Sequence, residues 1–182
     1  MYQTPLLWVL VITLVVVAAV SIATALQHRR HGRLAARFGP EYERVIDLTD
    51  SRHDTESALQ SRVEHREHLH VSPLTAEEAS AFVHRWRDVQ AEFVDSPPST
   101  IGDAQALVDD VMRVRGYPVD DFEANADLVS VDHPVVVEHY RAAHATYLAS
   151  RLRRVTTEEL RQAIIHYRVL LADLLELDTS RP

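Results

Sequence analysis

Residues 6–26, "LLWVLVITLVVVAAVSIATAL", run for twenty-one positions without a charge. No other stretch constrains the chain as strongly. As a helix the segment would be about 31 Å long, which matches the ~30 Å hydrocarbon core of a bilayer. A soluble helix of that length needs a polar face, and this one has none. Thr13, Ser21 and Thr24 fit such a span because a hydroxyl can donate to a carbonyl one turn back. The sequence therefore predicts a transmembrane helix from Leu6 to Leu26, with Trp8 near one end as an interfacial aromatic.

The flanks set the orientation. No basic residue precedes the span, whereas "QHRRHGRLAAR" follows it with Arg29, Arg30, Arg33 and Arg37. The positive-inside rule places that cluster, and everything after it, on the cytoplasmic side of the cell membrane, where it would meet lipid headgroups. The competing reading is secretion after signal-peptide cleavage at "ATA", residues 23–25. A signal peptide calls for a basic leading region, which is missing, and for a shorter apolar stretch.

Charge divides the chain in the same place. The first forty residues carry four arginines and no acid, a charge of +4; the remaining 142 carry fifteen arginines against twenty-seven acids, or −12. An acidic domain repels phosphate backbones, which argues against nucleic acid as a partner. There is no cysteine and no lysine, all nineteen basic residues being arginine. Disulfides, thiolate nucleophiles, zinc–thiolate sites, Schiff-base lysines and phosphate-loop lysines are thereby excluded.

The periodicity beyond Gly39-Pro40 is helical. Residues 41–72 have few apolar positions and suggest a polar juxtamembrane helix, either a solvated stalk or linker or one that needs a partner, laced by pairs between Glu56, Glu64, Glu67 and Arg52, Arg62, Arg66. From residue 73 to 178 the pattern predicts four amphipathic helices. Thr75 with Glu78 forms a capping box ahead of Ala79, Phe82, Trp86, Val89 and Phe93, and "SPP" at 96–98 ends that helix. Ala104, Leu107, Val111 and Val114 line the next, with Gly116 as its stop. Asp132 is the expected cap of a helix carrying Val136, Tyr140, Ala143 and Tyr147, and Thr156 with Glu159 opens the last, with Leu160, Ile164, Tyr167, Leu171 and Leu174. The expected fold is all-α: the anchor, the polar helix and an antiparallel bundle of about four helices, followed by a disordered tail at 179–182.

Candidate chemistry is sparse. "DHPVVVEHYRAAH", residues 132–144, carries three histidines, but His139 and His144 lie about 140° apart around a helix and cannot chelate one ion together. The run lacks the i,i+4 histidine pair of a zinc helix and the Glu-x-x-His of di-iron bundles. A metal or haem site would need completion from another helix, with His139, His144 and His166 as its candidates. His65 and His68 read as solvated. Asp120, Asp121 and Glu123 could serve a hydrolase, but acids are also favoured at a helix start. No catalytic residue and no cofactor is assigned. The Ala19-x-x-x-Ala23 and Ser21-x-x-x-Ala25 spacings allow weak homo-oligomerisation through the span.

Several separated stretches, "RFGPEYER", "RGYPVDDFE", "LVSVDHP", "VVEHYRAAH" and "TEELRQAIIHYRVL", resemble an uncharacterised family of small actinobacterial proteins over nearly the full length. The resemblance implies an architecture of hydrophobic anchor, arginine cluster and helical domain, and supplies no activity. The functional expectation is a single-pass membrane protein that presents an acidic cytoplasmic helical domain to another protein.

Overall fold

The computed structural model describes residues 13–18, 21, 32–152 and 155–176, and every regular element among them is helical. The chain divides into two compact units, residues 1–37 and 38–182. In the first, residues 13–18 are helical and Ser21 Oγ donates to the Val17 carbonyl at 2.8 Å, the one-turn-back bond anticipated for hydroxyls in this segment. Residues 32–37 are also helical, with Arg33 and Arg37 exposed. No helix among the described residues is long and apolar enough to cross a membrane. Most of the expected span, including Leu6, Trp8 and Leu26, lies outside the described residues, as do Arg29, Arg30 and the tail at 179–182.

The second unit contains helices α1 (Pro40–Leu48), α2 (Arg52–Glu67), α3 (Ala76–Asp95), α4 (Pro97–Arg115), α5 (Phe122–Asp132), α6 (Val137–Leu152) and α7 (Thr157–Leu174). Its main core joins Phe82, Trp86 and Val89 of α3 to Leu107, Val108 and Met112 of α4, Val129 of α5, Tyr140 and Ala143 of α6, and Leu160, Tyr167, Leu170 and Leu171 of α7. Each fully buried leucine contributes about 2 kcal/mol. Helix α7 packs against α6 and α4, and α4 also packs against α3.

Helix boundaries follow local chemistry. Both anticipated capping boxes form: Thr75 with Glu78 opens α3 and Thr156 with Glu159 opens α7, each worth about 1 kcal/mol. The prolines at 97 and 98 do more than end α3. They occupy the first turn of α4, where a missing N–H costs nothing, so α3 and α4 are joined through Ser96 alone. Gly116 closes α4 with φ 97°: its N–H donates to Arg113 and the Tyr117 N–H to Met112, the paired bonds of a Schellman turn.

Three expectations are corrected. Val114 does not line the buried face of α4. It is exposed, and Arg115 turns inward instead, its Nη1 donating to the Leu174 carbonyl at the end of α7 at 2.7 Å. A guanidinium there meets the negative end of the helix dipole. Asp132 does not cap α6. It ends α5, and its carboxylate accepts from Arg66 Nε and the Tyr117 hydroxyl.

The polar segment 41–72, finally, is not one helix. It forms α1 and α2, broken at Thr49–Ser51, with Tyr42, Val45, Leu59 and Val63 buried. Helix α2 packs against α5. Its arginines reach outward from their own helix: Arg62 bonds Glu41 at 2.7 Å and Asp127 at 2.7 Å, while Arg66 goes to Asp132. The sparse apolar stripe is thus completed by cross-helix ion pairs.

Candidate histidine pair and buried polar cluster

His139 immediately precedes Tyr140, a fully buried core residue of α6, and His166 immediately precedes Tyr167, its counterpart on α7. One residue is about 100° of rotation on a helix. Each histidine therefore stands at the flank of a buried face, half-buried, where α6 and α7 meet. The two rings face one another with Nδ1 to Nδ1 at 2.7 Å, centroids 5.0 Å apart and planes tilted by 40°. Burial holds the His166 imidazole below the usual histidine range and the His139 ring adds to this, while the Glu138 carboxylate opposes it. His166 is accordingly neutral at pH 7.

His144 does not join them. It turns toward α4, with Nδ1 3.1 Å from Gln105 Oε1, and lies flat on Phe122 at 3.6 Å between centroids. Burial lowers its pKa as well. His133 is not on α6 at all. It terminates α5 and its Nδ1 contacts the Asp173 carboxylate of α7. His65 and His68 are exposed. Asp121 caps α5, accepting from the Ala124 N–H at 3.1 Å, and Asp120 and Glu123 are exposed beside it. The structure thus brings together two of the three histidine candidates and separates the third. Among the described residues no group of three or more histidines and carboxylates is placed to hold a metal.

A polar cluster that is not among the expected sites lies inside the core. The Tyr167 hydroxyl donates to Gln105 Oε1 at 2.8 Å, Gln105 Nε2 donates to Asp109 Oδ1 at 2.7 Å, and Asn125 Nδ2 donates to the Tyr140 hydroxyl at 3.3 Å. Gln105 and Asn125 are 5% and 1% exposed; both Gln105 amide atoms are bonded here, whereas Asn125 Oδ1 is buried without a partner. Burial, together with the Asp109 charge, pushes the ionisation of both tyrosines far above pH 7. They act as hydrogen-bonding groups and not as bases. Polar residues adjacent in sequence to the apolar stripe were the available clue: Gln105 follows Ala104 and precedes Leu107 and Val108.

Asp109 is the strained member. Burial raises its pKa, against the opposing hydrogen bond from Gln105 and the Arg113 charge. A group with a raised folded pKa stabilises most below its unfolded value, and that stability is lost as pH rises through the folded one. Asp109→Asn keeps an acceptor for Gln105 and removes the charge. The variant should melt at a higher temperature than the parent at pH 7. The gap should close as the two are compared at progressively lower pH, toward the ordinary aspartate range. A variant that melts lower at neutral pH would show that the ionised carboxylate is a net stabiliser.

No family model, curated protein or solved structure matches the chain, so the reading of its function rests on its own residues.

Proposed function

We propose that the chain is a single-pass membrane protein that holds an acidic helical domain at the cytoplasmic face for contact with another protein. In this reading α3, α4, α6 and α7 form an antiparallel bundle. The one-residue link between α3 and α4, and the core those two helices share with α6 and α7, support that arrangement.

One observation carries the membrane reading. Leu14, Val15, Val16 and Val17 are consecutive on a helical segment and each is more than half exposed. Four residues at 100° steps cover most of a helix circumference. Apolar surface on every side of a helix asks for a surrounding apolar medium, whereas the second unit gathers most of its large apolar side chains into a core of its own and exposes the rest singly. The arginine cluster behind the span then fits the charged side of a membrane, with Arg33 and Arg37 exposed on one face four residues apart. The acidic excess of residues 41–182 favours a partner with a basic surface and a contact that weakens with salt.

Fractionation and topology test this together. The full chain should stay with membranes after alkaline extraction. A reporter fused after Pro182 that is active only outside the membrane should be silent. Recovery of protein in the soluble fraction, or of mature chains that begin near Leu26, would overturn the anchor.

A further inference from the structure

The contact between His139 and His166 joins two nitrogens that are each able to bind a proton or a metal ion. A neutral imidazole ordinarily carries its proton on one nitrogen and a lone pair on the other. Two bare Nδ1 lone pairs cannot face each other at 2.7 Å without repulsion. A proton carried on one Nδ1 closes the pair as a neutral hydrogen bond, and a cation that displaces it would be held by both lone pairs. The two nitrogens come from different helices, so their approach is set by the packing of α6 on α7 and by no local sequence spacing.

We infer that His139 and His166 form a two-histidine site for an exchangeable divalent transition-metal ion of the zinc class. Imidazole nitrogen suits zinc, nickel and copper and is a poor ligand for magnesium or calcium. With metal–nitrogen bonds of about 2.0–2.1 Å, two cis ligands stand roughly 2.9–3.4 Å apart. The observed pair reaches that separation by opening a few tenths of an ångström, a movement within side-chain torsions. Both rings would then carry their proton on Nε2, leaving Nδ1 as the ligand atom.

The surroundings favour a cation. Glu138 is exposed beside His139 on α6, and residues 41–182 carry a net −12. Since no third protein ligand is in place among the described residues, the remaining coordination positions fall to water, which makes the ion exchangeable and not structural. Facing imidazoles this close leave no room for a porphyrin between them, so the site takes an ion and not a haem.

The test uses the full chain in detergent, stripped of metal with a chelator and titrated with zinc chloride by calorimetry above the histidine titration range. One saturable zinc per chain is expected. His139→Gln and His166→Gln keep a polar side chain of similar size and should each weaken zinc binding about tenfold or more, a difference of about 1.4 kcal/mol. Far-UV circular dichroism should show their helicity intact. The exposed pair His65→Ala/His68→Ala should leave the isotherm unchanged. Nitrogen NMR of the imidazoles supplies a second readout: on adding zinc, both Nδ1 resonances should move and both rings should show the Nε2–H tautomer. Zinc binding that survives both glutamine variants, or disappears with the His65/His68 variant, overturns the site. So does an Nδ1–H tautomer on one ring that persists under saturating zinc, because the pair would then be sharing a proton.

Discussion

Glu41→Gln should cost the fold about 3–5 kcal/mol, the range seen when one member of a buried ion pair is removed and the other is left behind. The Glu41 side chain is 2% exposed. It accepts from Arg62 at 2.7 Å and from Arg141 at 2.7 and 3.0 Å, with Arg44 alongside at 3.4 Å. Burial alone would raise its pKa, but the hydrogen bonds from Arg141 and Arg62 more than offset that and leave it lowered. A lowered folded pKa means stability that is present above the unfolded value and lost as pH falls through the folded one. The Glu41 contribution is therefore complete at neutral pH and disappears in acid, below the ordinary glutamate range. Asp127 retains part of the compensation, since it bonds both Arg62 and Arg141. Urea unfolding followed by circular dichroism should show a lower midpoint with an unchanged slope. Glu43→Gln, exposed on the same helix, should stay within about 0.5 kcal/mol of the parent. Equal effects from the two variants would mean that the arginines find water or other partners once Glu41 is gone.

Gly116→Ala should be comparably severe for a different reason. Gly116 has φ 97°, where a side chain is strained by about 1–2 kcal/mol. A Cβ built there would also lie 2.3 Å from the His70 carbonyl oxygen. That neighbour is backbone and cannot rotate away. The strand of chain at 70–72 would have to shift, breaking the bond from the Ser72 N–H to the Arg115 carbonyl at 2.9 Å. The Schellman turn and the Arg115 contact to Leu174 sit on the same corner and would be disturbed with it. A loss of about 3 kcal/mol or more is expected from strain plus clash. Gly32→Ala, where a Cβ meets nothing within 4 Å, is the matched control and should be nearly neutral. A mild Gly116 variant would show that the loop before α3 yields without cost.

Local chemistry was largely legible from the chain itself. Both capping boxes, the glycine stop at 116 and the buried stripe of α7 follow from interactions within a turn or two of helix, which sequence encodes directly. The stripe of α3 was readable for the same reason. The α4 stripe was read partly out of phase because that helix is buried against α3 and α7 together. Its covered arc is wide enough to take in Ile101, Val108, Met112 and Arg115, and a single-face template underestimates it.

The sequence by itself determined that the described chain is helical, where α3 begins and ends, where α4 ends and α7 begins, and which histidines were worth weighing. Only the tertiary structure decided who meets whom. Glu41 is separated from Arg141 by a hundred residues, yet the two share a buried bond, and the polar segment became part of the fold through that contact. His139 met His166 and not His144 because facing helices bring flank positions together, while residues five apart on one helix diverge by about 140°. Gln105 looked like an ordinary polar residue beside an apolar stripe until Tyr167 and His144 closed on it from two other helices. Periodicity reports how a helix turns about its own axis. It carries no information on the rotation and offset of the helix packed against it, and those two quantities placed the contacts of Glu41 with Arg141, His139 with His166 and Gln105 with Tyr167.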